Sequence, residues 1–89
     1  ECDCYSHSDT PIVQDIGILA STDITAIDKA SIDLLNSKPG LKNSALKKNF
    51  EPGENKVAGV YPELDWTTQI NYAAKIGLGN SDYNLINLK

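Results

Sequence analysis

Two thiols and an imidazole stand at the head of this chain, in Cys2-Asp3-Cys4 and then His7. A Cys-x-Cys pair in an extended segment sets two sulfurs close together on one side, a geometry suited to a thiophilic metal or the edge of a cluster. His7 follows three residues on and could add a nitrogen ligand. Cys2, Cys4 and His7 are therefore the candidate metal ligands. Three ligands fall short of the four that a closed zinc or 4Fe–4S site takes, so a complete site would need groups from elsewhere. A disulfide between Cys2 and Cys4 is a poor alternative, because extended neighbours two apart sit near the upper limit of bridging distance and point badly. The plainer reading, preferred for the chain by itself, is two solvent-exposed thiols at a terminus. Tight binding of a cluster to this chain alone is not expected.

The carboxylates Asp9, Asp15, Asp23 and Asp28 form a second constellation. Asp15 enters and Asp23 leaves the same apolar stretch, which puts them at opposite ends of it and argues against a shared metal. Asp23 has a sufficient structural role as a helix N-cap, its carboxylate meeting free backbone N–H groups and the positive end of the helix dipole. Asp28 reads as a solvated face residue or a partner for a backbone donor. His7 has no nucleophile placed to form a triad with it, since Ser6 and Ser8 point elsewhere in an extended segment. Trp66 at a first helical turn reads as core rather than as a stacking surface with Tyr61 and Tyr72. Gly77-Leu78-Gly79 follows a helix instead of a strand, so it reads as a helix stop and not as a dinucleotide loop. No catalytic residue is identified.

The elements that would position these groups follow from the apolar pattern. Ile16-Gly17-Ile18-Leu19-Ala20 predicts a buried strand within Ile12–Ala20, with Gly17 admitting a close neighbour. Ile24, Ile27, Ala30 and Leu34 keep helical spacing, which predicts a helix from about Ile24 to Asn36, stopped by Pro39-Gly40. A second helix, capped by Asp65, is expected from about Trp66 to Ile76 and is ended by Gly77 or Gly79. Val57–Tyr61 is a short strand or a helical turn, and Tyr83–Leu88 alternates well enough for a final strand. Burying two amphipathic helices calls for a sheet or partner layer, so the expected fold is α/β or α+β, a short sheet packed by two main helices. Its core should include Ile16, Ile18, Ile27, Leu34, Trp66, Ile70 and Ala73. Residues 38–56 carry few apolar anchors and are expected to be the least ordered interior segment.

Composition bounds the rest. A chain of 89 residues supports one small domain. With 40% hydrophobic and 22% charged residues it has the make-up of a folded chain. The net charge is −4 and all eight basic residues are Lys, so there is no electrostatic footprint for nucleic acid or anionic lipid. No apolar run approaches the roughly 20 residues of a membrane helix. Two cysteines cannot make a multi-disulfide framework. Met is absent, so Glu1 is not an initiator, and the chain is expected to be processed or cut from something longer.

Several stretches read together resemble the C-terminal region of the DUF362 family. They are Cys2-Asp3-Cys4, Asp9 to Ser21, Asp23 to Ala30, Asn36 to Leu41, and Tyr61-Pro62-Glu63-Leu64-Asp65-Trp66 through Gly79. The resemblance covers most of the chain in order; it departs at Ile24 and Gln14, where the family usually shows Pro. It implies that residues 1–89 are the C-terminal portion of a larger, cytoplasmic protein whose ferredoxin-type insert binds 4Fe–4S clusters; that insert is not in this chain. On this reading the cofactor is an iron–sulfur cluster of the full-length protein. The partner is the remainder of that protein, and this chain supplies scaffold and the Cys-x-Cys pair. Two alternatives stand beside it. One is part of a small-molecule enzyme with a cleft near Asp15 or Ser21–Asp23, and the other is a free-standing small secreted protein.

Overall fold

The computed structural model describes residues 6, 7 and 9–88. Three helices follow in chain order: α1 (Ile24–Asn36), α2 (Lys56–Val60) and α3 (Thr67–Lys75). α1 starts where its cap dictates. The Asp23 backbone is extended, and its Oδ1 accepts from the N–H groups of Thr25 and Ala26, both at 3.0 Å. α1 and α3 pack on each other, and Ala26, Ala30 and Ile70 are buried. α3 is capped from two residues before its start. Asp65 Oδ1 accepts from the Thr67 N–H at 3.0 Å and from the Thr67 hydroxyl at 2.5 Å. Its far end is a Schellman turn: Gly77 takes a φ of +77°, its N–H donates to the Ala74 carbonyl, and that of Leu78 donates to Ala73.

The expected α/β or α+β fold is not what the chain adopts. Among the described residues there is no strand and no sheet, and the regular structure is helical. A strand exists only through a partner's backbone, and residues 13–20 bond to no other described backbone; the nearest such bond is Leu41 N–H to the Ile12 carbonyl, 2.7 Å. Gly17 stands at a φ of +151°, outside the β region, with open space where a Cβ would be. The close neighbour expected at Gly17 is therefore absent, and the alternation breaks there instead. Tyr83–Leu88 is likewise irregular, and Val57–Tyr61 resolves mostly into the single helical turn of α2. The expected core survives in part. Ile70 is buried, while Ile27, Leu34, Trp66 and Ala73 are half-buried. Ile16 and Ile18 are exposed, Ile18 fully, while Val13 of the same segment is buried and Leu19 half-buried.

Residues 38–56 find anchors that an apolar count misses. Leu46 is 3% exposed, and a Cβ on Gly40 or Gly59 would meet its side chain, so it sits against both. Bonds from Gly40 N–H to the Phe50 carbonyl and from Lys47 N–H to that of Gly59 close the loop around it, at 2.6 and 2.9 Å. The Lys42 ammonium lies 3.6 Å from the Phe50 ring centroid. The second anchor is Lys56, the largest fully buried side chain described. Its Nζ donates to the carbonyls of Glu51, Glu54 and Asn36 at 2.8, 3.0 and 3.2 Å. Three donors meet three acceptors, which is the full capacity of an ammonium. Asn36 ends α1, so the charge also meets the negative pole of that helix. Asn36 returns the contact, its Oδ1 accepting from the Lys56 N–H at 2.9 Å.

Lys56→Met should therefore destabilise the chain by about 3 kcal/mol, since it removes three charge-assisted bonds and orphans buried carbonyl capacity. For a domain of this size that lowers Tm by about 12–24 °C. Thermal unfolding followed by circular dichroism reads it, and a shift under about 2 °C would remove Lys56 from this role.

Candidate functional site

Of the candidate metal ligands, Cys2 and Cys4 lie outside the described residues. His7 is described and exposed, in an irregular segment. Among the described residues no three His, Cys, Asp or Glu side chains are grouped to hold a metal ion. Nor do the four carboxylates converge. Asp9 and Asp15 are exposed, and Asp28 accepts from Gln69 Nε2 at 3.5 Å across the α1–α3 contact.

Asp23 does more than cap α1. Its second oxygen, Oδ2, accepts from the Asn80 N–H at 2.9 Å, joining the start of α1 to the chain beyond α3. Gly79 permits that approach, because a Cβ there would fall on Asp23 Oδ1 and within 2.8 Å of Thr25 Cβ. The Ala26 and Asn80 N–H groups hold the Asp23 carboxyl below its ordinary value of 3.8; burial opposes them and the Thr25 N–H adds to them. A carboxylate that accepts three backbone N–H bonds acts as a structural joint.

A second joint, which no spacing in the sequence announces, holds the C-terminal tail. The Tyr83 hydroxyl donates to Asp33 Oδ2 at 2.6 Å, and Lys29 Nζ pairs with the same carboxylate at 2.7 Å, one turn back on α1. Partial burial pushes the Asp33 carboxyl up, but the bonds from Lys29 and then Tyr83 outweigh it and hold it below the ordinary value. The bond to Asp33 raises the Tyr83 phenol above 10.0.

These joints frame a half-open trough of about 870 Å3. Ala26, Ile27, Ala30 and Leu34 of α1 make its floor, and residues 16–21 and 83–88 make its two walls. The period of the sequence put Ile27, Ala30 and Leu34 on one apolar face together with Ile24, which the structure leaves exposed outside the trough, and the face itself stays partly open. Ile18, Leu85, Ile86 and Leu88 on the walls are more than half exposed. Among the described residues of the lining, Lys38, just past α1, is the one that carries a charge, and none is a carboxylate, in a chain that is acidic as a whole. Ser21 lines it; Asp15 does not. No family model matches the chain, and comparisons with curated proteins and with solved structures give no match.

Two substitutions test the joints. Asp23→Asn keeps a competent cap for Thr25 and Ala26 but turns an amide N–H toward the Asn80 N–H. The α1 amides should stay protected from exchange while Asn80 loses protection; unchanged protection at Asn80 would contradict the joint. The acid dependence has a fixed sign. With its pKa lower in the folded state, Asp23 contributes stability above the ordinary value of 3.8, lost as pH falls through the folded value. Asp23→Asn should flatten unfolding in that window.

Tyr83→Phe should let the Asp33 carboxyl titrate nearer 3.8, the Lys29 pair remaining. Carboxyl-carbon NMR titration reads the change, and an unmoved Asp33 would break the link.

Proposed function

We propose that this chain is a scaffold component of a DUF362-like iron–sulfur cluster-binding protein of the cytoplasm. It contributes Cys2 and Cys4, with His7, to a metal site completed by other parts of that protein. The observation that carries the scaffold role is the trough. An apolar helix face with large apolar side chains exposed on both walls is a surface for assembly. The ligand role rests on chemistry. Two thiolates one residue apart suit iron or zinc, and a partial ligand set gains affinity when other groups complete it. The alternatives draw less support. A small-molecule enzyme would want a polar constellation in the cleft, and Asp23, the nearest candidate, is committed to backbone donors.

The test is iron and acid-labile sulfide per chain, measured anaerobically on the full-length polypeptide and on its Cys2→Ser/Cys4→Ser variant. The reading expects iron to fall in the variant, with far-ultraviolet circular dichroism unchanged. Equal iron in both, or no iron in either, overturns it.

A further inference from the structure

The trough has a second property besides being apolar: its walls are backbone. Among the described residues, the peptide groups of 13–20 and of 84–88 bond to no other backbone group. Each wall contributes six consecutive residues to the lining, about 20 Å of chain if drawn out, the length of an ordinary strand. An alkyl chain or a flat aromatic ligand would cover the α1 floor yet leave those donors and acceptors to water. A polypeptide in extended form satisfies both parts of the surface at once. Its alternate side chains rest on Ala26, Ala30 and Leu34, and its peptide groups bond to a wall.

The two walls are not equivalent. Residues 16–20 contain Gly17 at a φ of +151°, which interrupts any regular ladder, whereas 84–88 contain no positive φ. Tyr83 fixes the start of that second wall to α1 through Asp33. The lining also selects by charge. Among the described residues it offers Lys38 and no acid, which disfavours a cation inside the trough, while the chain as a whole is at −4, so basic groups on the incoming segment belong at its ends.

We infer that the trough docks one extended apolar peptide segment, which pairs its backbone with residues 84–88 and packs alternate side chains on α1. The inference rests on the reading of this chain as a scaffold component, and it names how the scaffold is joined. It concerns the occupied trough; the chain by itself stays helical.

The probe is a blocked octapeptide of alternating Thr and Val with Lys at each end, added to the 89-residue chain while amide exchange is followed residue by residue. Backbone pairing has a signature that mere coverage lacks, because only every second amide of a strand faces its neighbour. At saturating peptide, either Asn84, Ile86 and Leu88 or Leu85 and Asn87 should slow at least fivefold, with the intervening amides unchanged. The same peptide N-methylated at alternate residues should give no such pattern. Four results overturn the inference. They are no slowing at millimolar peptide, equal slowing by the methylated peptide, the same pattern with decanoate, and the pattern appearing on raising protein concentration alone, which would make the occupant a second copy. Failure here is separable from failure of the iron reading. Cysteine-dependent iron without alternate protection removes only the docking, and alternate protection with cysteine-independent iron removes only the cluster role.

Discussion

A single buried ammonium organises the middle of this molecule. Lys56 brings its charge inside with no ion pair among the described residues, and the arrangement holds because three carbonyls converge on Nζ. Those carbonyls belong to the last residue of α1, 20 residues of chain before Lys56, and to the turn at 51–54, so the ammonium binds a helix end to a distant loop. Gly53 N–H reaches the same Asn36 carbonyl at 2.7 Å, so that orphan acceptor of the helix terminus is doubly used. α2 begins at Lys56 itself, and Leu46 seats against Gly59 of that turn. The hydrophobic contribution here is small, and polar saturation takes its place.

Asp23 performs the corresponding task at the other pole of α1. One oxygen closes the helix start and the other gathers the chain 57 residues later. The two ends of α1 are thus fixed by charges of opposite sign, an anion at the N-terminus and a cation at the C-terminus, the arrangement its dipole favours. Between them the helix is free to present an apolar face, and nothing in its own backbone depends on whether that face is covered.

The parts of the fold legible in the sequence were the ones decided locally. α1 followed from an N-cap acid, helical spacing and a Pro-Gly stop, and α3 from Asp65 and Gly77, each rule acting within a few residues. The apolar segments at 12–20 and 83–88 read as strands because Ile, Leu and alternation favour that state, but a strand is a property of a pair, and composition does not supply the partner. Lys56 was invisible for the opposite reason. A lysine reads as surface, and only the convergence of Asn36, Glu51 and Glu54 makes its burial tolerable. Tyr83 and Asp33, 50 residues apart, share no period or motif. The metal ligands Cys2 and Cys4 were legible as chemistry alone, since they lie outside the described residues.

Trp66 gives this architecture an optical consequence. It is the only tryptophan, its indole N–H is buried without a hydrogen-bond partner, and the Lys29 ammonium stands 5.8 Å from its ring centroid. Lys29 belongs to α1 and Trp66 to the start of α3, so the indole's surroundings are set by the fit of those two helices. Its fluorescence is therefore a built-in gauge of that fit. Water reaching the indole N–H shifts emission to the red when the helices part, while events on the loop around Leu46 leave the signal where it was.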